Sequence, residues 1–151
     1  MRAVVQRVER AVVSVRGEAV GVIGRGLLVL VGVGHDDEPR DAEALAKKLV
    51  GLRIFSDDQG RMNRSIADTG GEMLIVSQFT LLADLRRGRR PSFVGAAAPD
   101  IAEPLVEEVA RFVDAAGVPV ATGTFGAHMK IDLTNDGPVT VLLDVVEGRL
   151  K

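Results

Sequence analysis

With 151 residues, 46% of them hydrophobic, the chain suits one ordinary domain with a substantial core, and a disordered chain is excluded. It has no Cys, which excludes disulfides, a thiol nucleophile and a thiolate zinc site and fits a reducing cytoplasm. Nineteen Lys and Arg against 21 Asp and Glu give a net charge of −2 and a pI near 5.7. That balance argues against a broad basic groove for nucleic acid, but it is compatible with a short single-stranded contact at a local patch.

Charge arrives too early in Met1-Arg2-Ala3-Val4-Val5-Gln6-Arg7 for a secretory leader. The longest apolar run, near Gly26 to Val33, is far too short for a bilayer, so a cytoplasmic protein without membrane contact is expected. Residues 3–8 and 11–16 alternate like strands, Gly17-Glu18 reads as a turn, and residues 19–23 return. The continuous apolar run 27–33 predicts a strand buried on both faces. Ala42, Leu45, Ala46 and Leu49 then form a helix stripe, with Asp36, Asp37 and Glu38 at or before its start, where the helix dipole favours negative charge. Residues 52–55 read as a strand, 57–60 as a turn, and 72–81 as another strand.

A second helix is predicted from about residue 101 to residue 116, with Asp100 and Glu103 at capping-box spacing and Pro104 in its first turn. Its expected stripe is Leu105, Val109, Phe112 and Ala116, and Gly117 stops it. Residues 118–122, 130–134 and 139–145 are strand-like. The order predicts a mixed α/β fold, two sheets with a helical layer, in one domain spanning residues 1–151.

The chemistry-bearing residues are few. His35 sits beside Asp36, Asp37 and Glu38, but consecutive loop residues cannot all face one ion without a tight wrap, so the segment reads as a solvated helix start rather than a metal site. His128 reads as a structural histidine near a turn, with a general base as the alternative. Ser77 lacks the G-x-S-x-G elbow, and no spacing identifies a triad, so it reads as a strand-end serine. Arg86, Arg87, Arg89 and Arg90 form the one dense basic patch, on a loop with Gly88 and Pro91, and read as phosphate contacts. Asn135-Asp136-Gly137-Pro138 reads either as a hairpin turn between two strands or as a cis Gly-Pro site open to close backbone approach.

Taken together, these segments resemble the D-aminoacyl-tRNA deacylase family over nearly the whole chain. The motifs that carry the resemblance are the opening Met1 to Val8, the run Gly26 to Val33, Leu52-Arg53-Ile54-Phe55 and Gly60-Arg61-Met62-Asn63. Ser77-Gln78-Phe79-Thr80 matches the S-Q-F-T motif, and Arg90-Pro91-Ser92-Phe93 matches R-P-S-F. Gly123 to Met129 and Asn135-Asp136-Gly137-Pro138-Val139-Thr140 complete the pattern.

The resemblance implies a three-layer β/β/α homodimer with two active sites at the subunit interface, no metal, no cofactor and no obligate protein partner. It places Ser77, Gln78, Phe79 and Thr80 in the catalytic floor. Gly137-Pro138 would reach in from the partner and read chirality, framed by Asn135 and Thr140 and braced by Arg7. Phe125 and Met129 would pack on the terminal adenine of the tRNA acceptor end or serve only the core. The implied reaction is hydrolysis of the ester in D-aminoacyl-tRNA, assisted by the RNA 2′-OH, with glycyl-tRNA mischarged on a non-cognate tRNA as a second substrate. Leu82 and Leu85 depart from the Tyr and Thr more common there, which bears on how the arginine loop meets tRNA. Two rivals stay open. One is a related deacylase for L-amino acids, expected with a trans Gly137-Pro138 bond. The other is a dimeric nucleic-acid-binding protein without ester cleavage.

Overall fold

The structure, a computed structural model, describes residues 1–86 and 88–151. The N-terminal alternation forms one long strand, β1 (Arg2–Val15), rather than two. A tight turn with positive φ at Arg16 and Gly17 sends the chain back along it as β2 (Glu18–Ile23). β3 (Gly26–Gly32) pairs with the first half of β1, whereas β2 pairs with the second half. The apolar run is buried on both faces: Leu27, Val29 and Val31 join the larger core, and Leu28 and Leu30 turn to a smaller one.

Helix α1 (Pro39–Gly51) buries the predicted stripe Ala42, Leu45, Ala46 and Leu49. At its start the Glu38 N–H donates to the Asp41 carboxylate at 2.8 Å. A small ribbon follows, β4 (Phe55–Ser56) with β5 (Met62–Arg64), around a turn in which the Gly60 N–H donates to the Asp57 carbonyl. The expected strand 52–55 is thus realised only at Phe55. After a single capped turn, α2 (Ile66–Thr69), comes β6 (Glu72–Ser77), parallel to β3.

Helix α3 (Pro99–Ala115) starts two residues earlier than the spacing suggested. Its N-cap is Ala98, with Pro99 in the first position, so no Asp100–Glu103 capping box forms and Pro104 lies in the second turn. The buried face is Ala102, Leu105, Val106, Val109 and Val113; Phe112 is only partly buried, and Ala116 is exposed beyond the helix end. Leu105 and Val109 hold as expected, but the stripe runs through Val106 and Val113 rather than through Phe112 and Ala116, the last of which lies past the helix end. β7 (Val120–Thr122) then pairs parallel to β6, and β8 (Met129–Val146) runs antiparallel along the whole of β1 before a short β9 (Arg149–Leu150).

The mixed α/β class is as expected, but the two anticipated sheets are one. Seven strands form a continuous sheet in the order β7-β6-β3-β1-β8-β9, with β2 on the far half of β1, and β4-β5 stands apart. The long strands let this sheet curl over itself. The helices cover one face of β3 and β6 through the larger core. The far halves of β1 and β8 cover the other face through Ala11, Val13, Ile131 and Leu133 against Leu28, Leu74 and Val76. Gly21 permits the crossover, because a Cβ there would lie 2.7 Å from the Thr122 carbonyl oxygen. Among the described residues no helix is long and apolar enough to cross a membrane.

Candidate active site

Parallel β3 and β6 end at the same edge, with Val31 opposite Ser77. Ligand sites on parallel strands form at such carboxyl ends, where the chain leaves the sheet. The Gln78 N–H donates to the Val31 carbonyl at 2.7 Å, and the chain then tightens into a 3-10 turn, Phe79–Leu82. The sequence carried the strand on to Leu81, because nothing in an apolar run marks where pairing stops. The turn can approach β3 because residue 32 is Gly; a Cβ there would meet the Gln78 oxygen at 3.0 Å and the Leu81 Cβ at 3.1 Å. Arg2 pins the far side of the turn, donating to the Leu81 carbonyl at 3.2 Å while paired to Asp144 at 2.7 Å.

The S-Q-F-T segment thus runs from the last residue of β6 into the start of this turn. Among the described residues the backbone N–H groups of Phe79 and Thr80 have no backbone acceptor, as expected for the first donors of a helical turn. The Gln78 side-chain amide donates to Thr80 Oγ1. Phe79 is 58% exposed and meets Phe93 edge to face, ring centroids 5.0 Å apart at 74°.

Beside it opens a cavity of about 520 Å³. Ser77, Gln78 and Phe79 line one side; Phe93, Ala97 and Val106 from the segment before α3 and from α3 itself line another; Phe125, His128 and Met129 complete it. Phe125 also packs on the larger core and Met129 on the smaller, so the base-packing and core-packing readings of these two residues are compatible. A recess of about 170 Å³ lies on the other side of Ser77 and Phe125, towards Glu103 and Glu107. Phe93 and Val106 carried no functional reading from sequence. Phe93 stands in the R-P-S-F motif, which was the available signal, whereas Val106 becomes visible only once the helix register is known.

The Asn135–Pro138 segment is not a hairpin turn. β8 keeps its direction through it and pairs with β1 on both sides, Thr140 opposite Gln6 and Asn135 opposite Val8. Residues 136–139 therefore bulge out opposite Arg7 alone. A local turn signature cannot reveal that both flanking strands continue along the same neighbour. Asn135 ties the bulge at its base: its side-chain amide donates to Gln6 Oε1 at 3.0 Å and to the Val139 carbonyl at 3.1 Å, and it accepts from the Val139 N–H at 2.7 Å. Thr140 Oγ1 is a longer contact at 3.4 Å.

Arg7, buried under the bulge, donates to the Ile54 carbonyl at 2.5 Å and to the Asp136 carbonyl at 2.9 Å, and pairs with the Asp136 carboxylate at 3.3 Å. The Gly137-Pro138 bond is cis. Gly137 has φ +150, and a Cβ on it would lie 2.6 Å from the Val139 nitrogen, so Gly is required there. Gly137 and Pro138 are exposed and do not line the cavity of their own chain. The fold thus brings Ser77, Gln78, Phe79, Phe125 and Met129 together and holds the Gly-Pro bulge apart from them.

The arginine loop is closed at its base by Asp84 and Ser92, which exchange backbone hydrogen bonds at 2.7 and 3.0 Å. Arg86 is engaged within the loop, donating to both Asp84 carboxylate oxygens at 2.9 and 2.7 Å. These bonds, with the Arg86 backbone N–H, pull the Asp84 carboxyl down to about 2, so the pair stays charged throughout the neutral range. Arg89 and Arg90 are exposed; Arg87 lies outside the described residues. At the other basic-acidic segment, Asp37 is committed to the Met1 ammonium at 2.5 Å and the Gly34 N–H at 2.6 Å, while His35 Nε2 bonds the Val94 carbonyl oxygen. These contacts tie the 34–38 loop to Met1 and to the segment before α3, and among the described residues no cluster is placed to hold a metal ion.

The pocket thus opens where the parallel strands β3 and β6 end, lined by Ser77, Gln78 and Phe79, while Thr80 lies outside its lining. The family model described as D-Tyr-tRNA(Tyr) deacylase matches residues 4–144. A D-aminoacyl-tRNA deacylase of Chloroflexus aurantiacus is 58% identical over 150 residues, covering 99% of this chain and 94% of the relative. One of Thermomicrobium roseum is 57% identical over 149 residues, covering 99% and 97%. Among solved structures, one titled c-Myc DNA Unwinding Element Binding Protein superposes with a TM-score of 0.90 at 39% identity, over 95% of this chain and 98% of that one. Another, titled as a probable eukaryotic D-amino acid tRNA deacylase, shares the fold at a TM-score of 0.81 and 21% identity, over 93% and 97%. The protein is therefore a hydrolase of the class that acts on aminoacyl-tRNA. Within that class, the chain belongs to the D-aminoacyl-tRNA deacylase family.

Proposed function

We propose that the protein works as a homodimer in the cytoplasm, each active site combining the Ser77–Thr80 floor of one subunit with the Gly137-Pro138 bulge of the other. The observation that carries this reading is the bulge itself: braced from beneath by Arg7 and Asn135, exposed at its tip, and outside the cavity of its own chain. The outer sheet face beside it offers Leu142, 70% exposed, and Val146, 44% exposed, as surface for a second copy.

In this arrangement the terminal adenosine of the acceptor end enters the cavity against Phe125 and Met129, and the ester sits over the floor. The N–H groups of Phe79 and Thr80 receive the developing oxyanion. Ester and water held in reactive geometry supply much of the rate, and the ribose 2′-OH assists, so no cofactor is needed. Carbonyls of the incoming Gly137-Pro138 hold the α-amino group, and an L side chain meets backbone. Selection is by exclusion, which repulsion achieves better than attraction. Glycine carries nothing to exclude. Glycyl-tRNA mischarged on a non-cognate tRNA should therefore be cleaved alongside a D ester, as measured by loss of labelled glycine from the tRNA. A spared glycyl ester would reject exclusion as the filter.

Ser77 shapes and polarises the pocket here, without attacking the ester. Ser77→Ala should lower kcat only modestly in single-turnover assays. A loss on the order of a million-fold, as for a nucleophilic serine, would overturn the RNA-assisted mechanism. We assign phosphate contact to Arg89 and Arg90, which are exposed and make no ion pair among the described residues. Their joint replacement by Ala should raise the apparent KM for tRNA and reduce the salt slope by about 0.7 for each phosphate no longer neutralised. An unchanged salt response would remove the loop from tRNA binding. The rival reading of a nucleic-acid-binding protein without cleavage, to which the loop and the structural neighbour at 39% identity point, gives way to membership of a hydrolase family over nearly the whole chain.

A further inference from the structure

His128 is the one side chain with a titratable group among the described residues that line the main cavity; the rest of the lining is apolar, small, hydroxyl or amide. It is exposed, so its ring stands at the rim rather than in the depth, beside Phe125 and Met129. The turn that carries it is fixed: the Ala127 N–H donates to the Thr124 carbonyl at 3.2 Å, Gly126 takes φ +72, and Met129 begins β8. From sequence His128 read as a structural histidine, yet the fold gives it cavity surface.

Taking as given the proposed reading that this cavity holds the terminal adenosine, we propose that His128 is the phosphate-recognising residue of the site, donating to the phosphodiester on the 5′ side of that adenosine. A nucleoside seated against Phe125 and Met129 must lead its 5′ phosphate out across the rim. An imidazole offers an N–H donor in either neutral tautomer and two when protonated, and a hydrogen bond to a charged acceptor is stronger than a neutral one. The exposed arginines 89 and 90 lie outside the cavity lining and would meet phosphates further along the strand. His128 is thus a binding residue, and no proton of the hydrolysis passes through it.

Two minimal substrates test this: the 3′-D-tyrosyl ester of adenosine and the same ester of adenosine 5′-monophosphate. The wild type should hydrolyse the phosphorylated ester with a KM lower by about tenfold, the scale of one hydrogen bond to a charged group. His128→Ala should bring the two KM values together, chiefly by raising that of the phosphorylated ester. His128→Gln, which keeps an N–H donor, should restore part of the difference. A preference for the phosphorylated ester that survives in His128→Ala overturns the assignment. A fall in kcat on both esters also overturns it, in favour of a proton-transfer role. If the wild type cleaves both D esters equally, the phosphate contact alone is wrong; if it cleaves neither these nor D-aminoacyl-tRNA, the reading of the cavity itself fails.

Discussion

Replacing Gly137 by Ala should lower kcat/KM for a D-aminoacyl-tRNA by roughly a hundredfold or more, the scale on which a displacement of about 1 Å costs rate, while the protein stays folded. The added methyl has nowhere to go. It would lie 2.6 Å from both the Val139 nitrogen and Val139 Cγ2, on a backbone whose φ of +150 already requires Gly. Asn135 and Arg7 hold both ends of the bulge, so relief must come at its exposed tip, the part assigned to chirality. Circular dichroism and thermal unfolding would show a near-native fold, since the bulge tip contributes no buried core. Full activity in Gly137→Ala would mean that the tip does not enter an active site.

The second large effect is on stability. Arg7→Ala removes a buried guanidinium that satisfies the Ile54 and Asp136 carbonyls and links β1, the β4-β5 ribbon and the bulge. Two acceptors lose a charged donor, which costs about 3 kcal/mol in all. The ion pair adds little to this figure, because the Asp136 carboxylate is 37% exposed and solvent screens it. For a domain of this size the thermal midpoint should fall by roughly 6–12 °C, and activity should fall with it because the bulge loses its support. Arg7→Lys should recover only part of the loss, since one ammonium lacks the planar fork that reaches both carbonyls. A midpoint within a degree of the wild type would show that the bulge stands without this brace.

Where residue order and local contacts agree, the fold was readable in advance. The α1 stripe, the doubly buried β3, the β1-β2 turn and the turn before β5 depend on period and turn chemistry alone, and the structure has them. What failed depends on distant partners. Of the two readings of Asn135–Pro138, the cis Gly-Pro one holds and the hairpin one fails, because both flanks pair with β1 and the segment between them bulges. The anticipated pair of sheets is one sheet, because β1 and β8 are long enough to serve both layers. The start of α3 moved because Pro99, not Ile101, takes its first position.

The site divides along the same line. Ser77 to Phe79, Phe125 and Met129 were nameable through motif resemblance, and one cavity gathers them. Phe93, Val106 and the Gln6 contact to Asn135 come from chain folding that no single motif records. That His128 lines the cavity was not legible either, since a lone histidine near a turn says nothing about which surface the turn will face.

The most direct test of the chirality filter is deacylation of matched D-tyrosyl-tRNA and L-tyrosyl-tRNA by the purified protein. Rapid loss of the D ester with the L ester at its spontaneous rate is the expected result; comparable loss of the L ester would contradict a backbone filter at Gly137-Pro138.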